Sequence, residues 1–278
     1  MDKACEFQLG DDGSFEVTDD VLQTFWDKGY ILIRGLLDKE ELTKVKEVIE
    51  SPEVLKFQYG RPDKSGKEPK LILWQHPGED VTGMVARCHK VAGTCDKLLG
   101  GEVYHYHTKL VTKEPYIGGT FEWHQDYGYW YKYGCVFPDM FVSVAVDQCK
   151  KANGCLQLLS GSHKCGRIDH TIVAHQTGAD VDRVKELQGR LPRVHAELDA
   201  GDALFFHCNV LHTSSDNTSA DIRRALILAY NRKSNNPGPH QKHPGYRPIK
   251  QVSDDAVRRC TNMTDFEGKD FWIVEPQI

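Results

Sequence analysis

The sequence predicts a mainly β domain with flanking helices, arranged as a sandwich or small barrel. Three observations carry this. Short apolar runs recur through the middle of the chain, at 103–112, 120–124, 140–146, 155–159, 203–206 and 225–230. Turn-forming pairs such as Gly118-Gly119, Asn153-Gly154 and Gly161-Ser162 separate several of them, as expected of short strands in an all-β core. No repeat, low-complexity tract or Ser/Gly/Pro-rich linker divides the 278 residues, a length that one large domain accommodates.

The elements follow in order. Asp19-Asp20 ahead of Val21, Leu22, Phe25 and Trp26 predicts a capped amphipathic helix ending near Gly29. Tyr30-Ile31-Leu32-Ile33 reads as a buried strand. Asp38 caps a second helix bearing Leu42, Val45, Val48 and Ile49, stopped by Ser51-Pro52. The polar, aperiodic stretch from Gly60 to Pro69 predicts an exposed loop. Leu71-Ile72-Leu73-Trp74 follows as a strand, and one helix is expected through Met84, Val85, Cys88, Val91 and Leu98 to Gly100-Gly101. The whole of 1–278 is thus expected to be a single domain, with a helical section over about 18–52, a β core over about 103–231 and a C-terminal extension over 232–278.

Bulk properties narrow the function. A net charge of -5, with 27% charged residues and a pI near 6.2, argues against nucleic acid as a general partner. No apolar run approaches bilayer-spanning length, and Met1-Asp2-Lys3-Ala4-Cys5-Glu6 lacks the apolar core of a signal peptide, so no membrane association is expected. Nine cysteines, an odd number without a C-x-x-C pair, fit a reducing compartment, and the expected location is the cytoplasm.

One constellation carries chemistry. If His124 and Asp126 lie on a strand, the two-residue alternation puts imidazole and carboxylate on one face as two ligands of a metal site. By composition alone H-x-D is expected about once in such a chain, and a surface pair is the bland alternative; the surrounding Phe121, Trp123, Tyr127, Tyr129, Trp130 and Tyr131 favour a buried site. Two His and one carboxylate form the facial set of non-haem Fe(II) oxygenases. The third ligand is expected to be His212, with His207 competing for the role. His195-Ala196-Glu197 repeats the spacing without the aromatic surround. His105 and His107, two apart, are expected on one strand face as hydrogen-bonded histidines, with His107 a candidate pocket residue. On a strand, Arg223 shares a face with Ala225, Ile227 and Ala229, which leaves room for a carboxylate held by two parallel hydrogen bonds; the alternative is a solvated edge charge.

Taken together, Phe121-x-Trp-His124-x-Asp126, Gly154-Cys155-Leu156-x-x-x-x-Gly161-Ser162-His163, His212-x-Ser214 and Arg223 resemble the phytanoyl-CoA dioxygenase-like Fe(II)/2-oxoglutarate oxygenases. The run F-x-W-H-x-D-[FY]-x-x-W, and Val103-Tyr104 followed by Lys109 and Lys113, are similar to ectoine hydroxylases. The likeness runs from about Phe25 to Asn231. It implies a double-stranded β-helix, a cupin-like jelly roll. It further implies Fe(II) on His124, Asp126 and His212, and 2-oxoglutarate held by Arg223 with Ser214 and Lys109. The implied reaction consumes O2, with ascorbate possible as a support, and releases succinate and CO2 while hydroxylating an aliphatic carbon of a small metabolite.

Halogenases related to this family carry a small residue at the carboxylate position, so Asp126 implies halide-free oxidation. Trp130 stands where ectoine hydroxylases have a substrate-facing Trp. Val111, Lys109 and Gln125 depart from the ectoine hydroxylase pattern and argue against ectoine itself, while the lack of a peroxisomal address or dense basic patch argues against phytanoyl-CoA. The segment from Arg61 to Lys70 and that from Arg167 to Arg190, with His170, His175 and Arg183, are candidate substrate lids. The state is expected to be monomer or homodimer. Two rivals remain at this point: a non-catalytic metal-binding jelly roll serving as sensor or scaffold, and a zinc hydrolase or isomerase on a cupin-like barrel.

Overall fold

The structure, a computed structural model, describes residues 3–60, 62–137, 140–173, 176–237 and 245–272. Its strands are β1 Glu6–Gln8, β2 Tyr30–Arg34, β3 Tyr59–Gly60, β4 Lys70–Trp74, β5 Val103–Lys113, β6 Phe121–His124, β7 Met140–Ala145, β8 Leu156–Leu159, β9 His170–Val173, β10 Gln176–Ala179, β11 Arg193–Ala196, β12 Ala203–His207, β13 His212–Ser214 and β14 Arg223–Arg232. The helices are α1 Asp19–Lys28, α2 Lys39–Ile49, α3 Pro52–Leu55, α4 Val81–Arg87, α5 Thr94–Leu99, α6 Asp126–Trp130, α7 Val181–Gln188 and α8 Ala256–Arg259.

Two sheets make the jelly roll. The large one runs β1-β2-β12-β7-β14-β5-β4-β3, the small one β11-β8-β13-β6, and β9 and β10 form a separate hairpin. Side-chain alternation sorts the large sheet into two faces. Ile31, Ile33, Phe205, Val142, Val144, Leu226 and Leu228 point to one side, where Phe25, Val45, Ile49, Val85 and Leu98 of the helices cover them. Tyr30, Leu32, Leu204, Phe206 and Ala229 point to the other, against Leu156 and Leu158 of the small sheet and Tyr127 and Trp130 of α6. Near-continuous apolar strands are what a sheet buried on both faces requires.

The expected helices form, with local corrections. Thr18, not Asp19, caps α1 through a hydrogen bond accepted from the Val21 amide, and Asp19 and Asp20 sit in the first turn, where carboxylates complement the helix dipole. Gly29 ends α1 at φ 83, and a Cβ there would stand 2.5 Å from the His163 ring and 2.6 Å from Val210, so glycine is needed for both backbone and space. Asp38 closes a capping box with Glu41 at the start of α2.

The single helix expected over 84–98 is broken. Cys88 is extended and pairs with Val252, whose carbonyl accepts the His89 amide, and a π-turn at His89–Gly93 restarts the chain into α5. A partner from 164 residues away in sequence overrides the local helical period here.

The loop from Arg61 to Lys70 is tied down. Arg61 lies outside the described residues, but Asp63 is buried and accepts hydrogen bonds from the Ser65 amide and hydroxyl and from the Thr120 amide and hydroxyl. The segment from Arg167 to Arg190 contains the β9–β10 hairpin and α7; His175 lies outside the described residues. Among the described residues, no helix is long and apolar enough to cross a membrane.

Candidate metal centre and its two cavities

Strand pairing builds the centre. In the small sheet β13 lies antiparallel to β6 with His212 directly opposite His124, and facing residues of such a pair approach closely on one face. Their rings stand 4.1 Å apart. The strand ends at His124, so Asp126 reaches the same point as the first residue of α6, not by strand alternation as the sequence suggests. Its carboxylate lies 3.3 Å from His212 Nε2 and 3.9 Å from His124 Nε2, and one ligand atom from each of the three residues falls within 4.8 Å of the others.

The unused edges of both rings are fixed. His124 Nδ1 pairs with the Glu122 carbonyl at 2.7 Å and His212 Nδ1 with the Val210 carbonyl at 3.0 Å. A carbonyl can only accept, so each Nδ1 carries the proton and each Nε2 presents a lone pair to the shared point. Burial, reinforced by the neighbouring His212, holds the His124 pKa well below the usual histidine range and keeps it a neutral ligand. Two neutral imidazoles and a carboxylate converging from one side fit a divalent iron that keeps open positions for other ligands.

Gln125, between two of these residues, is fully buried. Its side-chain NH2 donates to the Gly166 carbonyl at 2.9 Å and the Asn209 carbonyl at 2.8 Å, and its Oε1 accepts the Ile168 amide at 2.7 Å. It therefore ties the His124–Asp126 segment to the turn that delivers His212. The Gln125 amide donates to His170 Nε2 at 2.9 Å, while His170 Nδ1–H donates to the Ile168 carbonyl at 2.8 Å. A Cβ on residue 128 would lie 2.1 Å from the His170 ring, so Gly128 makes room for this support. Sequence reading registered Gln125 only as a departure from a pattern and His170 only as a lid residue. A long-range contact of this kind leaves no local signal.

Two cavities meet at the cluster. The smaller, about 40 Å³, is lined by Arg223, Ser214, Lys109 and the apolar Val111, Phe206 and Ile227. Arg223 is 2% exposed and, among the described residues, its Nε has no hydrogen-bond partner. Arg224 faces the other way, bound to Asp147 at 2.6 Å and to Glu50, so the two arginines have different tasks. Lys113 is buried behind Ser214, with Nζ donating to the Ser214 carbonyl at 3.3 Å and to that of Ser215. The larger cavity, about 200 Å³, includes His107, Lys109, Tyr129, Trp130, Tyr59 and Trp272 in its lining. Lys109 borders both cavities. Trp130 packs edge-on against Tyr106 at 4.9 Å and His107 at 5.5 Å.

The competing histidines lie elsewhere. His207 ends β12 among Trp26 and His163, 5.7 and 5.3 Å between ring centres, and burial pushes its pKa down to about 3. His195 lies on β11, at the edge of the small sheet opposite β6 and its His124. His105 and His107 do not share a face. His107 pairs with Ala229 and His105 with Tyr230, leaving Tyr106 as the extra residue of a bulge, which reverses the alternation. His105 instead bonds the Gln75 carbonyl and the Thr108 hydroxyl.

Comparison with known proteins points to one family. Residues 25–225 match the phytanoyl-CoA dioxygenase (PhyH) family. The chain is 32% identical to the L-proline trans-4-hydroxylase of Streptomyces griseoviridis over 199 residues, 66% of this chain and 72% of that one. It is 28% identical over 232 residues to the ectoine dioxygenase of Halomonas elongata, 77% and 70% of the two chains. Among solved structures, EctD from S. alaskensis with 2-oxoglutarate and 5-hydroxyectoine superposes with a TM-score of 0.71 at 22% identity, covering 85% of this chain and 88% of that one. The carbocyclase SnoK from nogalamycin biosynthesis gives 0.62 at 21% identity, covering 94% and 97%. The chain belongs to the phytanoyl-CoA dioxygenase family of iron- and 2-oxoglutarate-dependent oxygenases.

Proposed function

We propose that His124, Asp126 and His212 hold the Fe(II) of this oxygenase, that Arg223, Ser214 and Lys109 bind 2-oxoglutarate, and that His107 and Trp130 face a small cyclic amino acid as substrate. The enzyme hydroxylates an aliphatic carbon of a small metabolite. The observation that carries the assignment is the three-residue cluster opening onto two cavities, one of them ending in a buried arginine. When bound, Fe(II) with O2 and 2-oxoglutarate supplies the oxidising equivalents, with release of succinate and CO2.

The residues divide the work. Arg223 neutralises the far carboxylate of 2-oxoglutarate through charge-assisted hydrogen bonds, with the Ser214 hydroxyl beside it and Lys109 at the cavity boundary. Val111, Phe206 and Ile227 exclude water around the cosubstrate's methylenes, which strengthens each polar contact at its ends. Trp130, held by Tyr106 and His107, gives the substrate a rigid wall. The named activities of the proline and ectoine relatives, both acting on small ring compounds, support the substrate class. The nine cysteines, none of them in a disulfide and seven of them buried, support work in a reducing compartment such as the cytoplasm. We further infer that the chain acts as one domain, in a monomer or homodimer.

The test is succinate formation by purified protein given Fe(II), 2-oxoglutarate, O2 and ascorbate, with L-proline or ectoine as probe. The expected result is stimulation by L-proline above the substrate-free rate and none in Asp126→Ala. Equal succinate from Asp126→Ala would remove that residue from the centre.

A further inference from the structure

We propose that Lys269–Trp272 is a built wall of the substrate cavity and that Trp272 sets which substrate sizes the cavity accepts. The proposal rests on the reading of the larger cavity as the substrate site. Trp272 lines that cavity together with Tyr59, Leu71 and Leu73. Yet it stands far outside residues 25–225, the part matched to the family. A wall drawn from outside the shared region is free to differ among relatives that keep the same metal centre.

The segment is fastened on three sides. First, it completes a sheet edge: β3 covers β4 only at Lys70 and Leu71, while farther along Phe271 bridges Trp74 and the Trp272 amide donates to the Leu73 carbonyl at 2.9 Å. Leu73 is itself a cavity residue, so this bond registers Trp272 against the opening. Second, Phe271 stacks on Phe57 at 4.2 Å with 3° between planes and packs on Trp74 at 5.6 Å.

Third, Lys269 is buried at 1% side-chain exposure against Asp80 at 0%, with 2.9 Å between charges. Its Nζ also donates to the Pro77 carbonyl and the Thr82 hydroxyl, each at 2.8 Å, and lies 4.5 Å from the Trp74 ring centre. Gly78 permits this approach, since a Cβ there would stand 2.9 Å from the lysine stem. Burying two charges is costly and returns little net stability, but a fully bonded pair fixes a segment in one position. Asp270 adopts φ 51, turning the chain between the lysine anchor and the aromatic pair.

The experiment uses the full chain with Fe(II) and 2-oxoglutarate, and a ring-size series as probes: azetidine-2-carboxylate, L-proline and L-pipecolate. Wild type should prefer one member. Trp272→Ala should raise the KM of that member about tenfold, the loss of one good aromatic contact, and shift preference to the larger ring. Trp272→Phe should recover most of the loss, and 2-oxoglutarate affinity should not change. The double variant Lys269→Met/Asp80→Asn removes both charges, so no lone buried ion remains, and should move KM in the same direction as Trp272→Ala. Calorimetric binding of the same probes to the anaerobic protein gives a readout independent of turnover.

An unchanged ring preference in Trp272→Ala, or no probe binding wild type, would overturn the assignment of the wall. A double variant that melts earlier yet keeps the wild-type KM would overturn the anchoring. Failure of substrate-free succinate formation in wild type would instead count against the oxygenase assignment of the centre, and the binding arm would still score the wall.

Discussion

Replacing Gln125 by Ala should damage the metal centre without touching a ligand. The side chain makes three buried hydrogen bonds, to the Gly166 and Asn209 carbonyls and from the Ile168 amide. Its removal strands one buried donor and two carbonyls, each costing about 1 kcal/mol or more, and opens a cavity, so a loss of about 3 kcal/mol is expected. For a chain of this size that corresponds to a fall in Tm of roughly 5 °C. The more telling loss is in metal affinity. Gln125 couples the His124–Asp126 segment to the turn before His212, and removal of such outer support typically weakens metal binding about 10- to 100-fold.

Gln125→Glu keeps the volume and the acceptor for Ile168 but turns a carboxylate oxygen toward the two carbonyls, so it should do no better than Ala near neutral pH. Anaerobic calorimetric titration with Fe(II), alongside thermal unfolding of the metal-free protein, separates the two effects. If Gln125→Ala melted early but bound Fe(II) with wild-type affinity, the residue would be a packing element only, and the coupling argument would fail.

Other substitutions test the remaining assignments. Arg223→Lys loses the paired geometry of a guanidinium and should raise the KM for 2-oxoglutarate about 10- to 100-fold, whereas Arg224→Met, which breaks the outward pairs with Asp147 and Glu50, should leave that KM within about twofold. His212→Ala should abolish Fe(II) retention on desalting, while His207→Ala keeps it; the reverse pattern would exchange their roles. Asp63 supplies a pH dependence. Burial alone would raise its pKa, but hydrogen bonds from Ser65 and Thr120 outweigh that and lower it to about 2. Because the folded value lies below the ordinary one of 3.8, its stabilisation is complete above that pH and disappears as pH falls toward 2. Asp63→Asn should therefore lose up to about 2 kcal/mol at pH 7, with the gap from wild type closing as denaturation is measured at pH values descending from 5 to 2.

The chain's own sequence determined a good deal of this. Alternation along each run and the turns between runs are properties of near neighbours, so the β core, the capped helices before it and the face of Arg223 could be read residue by residue. His124-x-Asp126 stood out because a charged pair amid six aromatics has few other uses. What tertiary structure decided depends on contacts between distant segments. Pairing of β13 with β6 places His212 opposite His124 and leaves His207 among Trp26 and His163. The bulge at Tyr106 sends His105 and His107 to different faces, and Val252 breaks a helix whose local period was unbroken. Gln125 and Trp272 owe their places to partners such as Asn209 and Leu73, 84 and 199 residues away. Local propensity is set within a few residues, whereas the energy that selects among distant pairings appears only once the sheets have closed on one another.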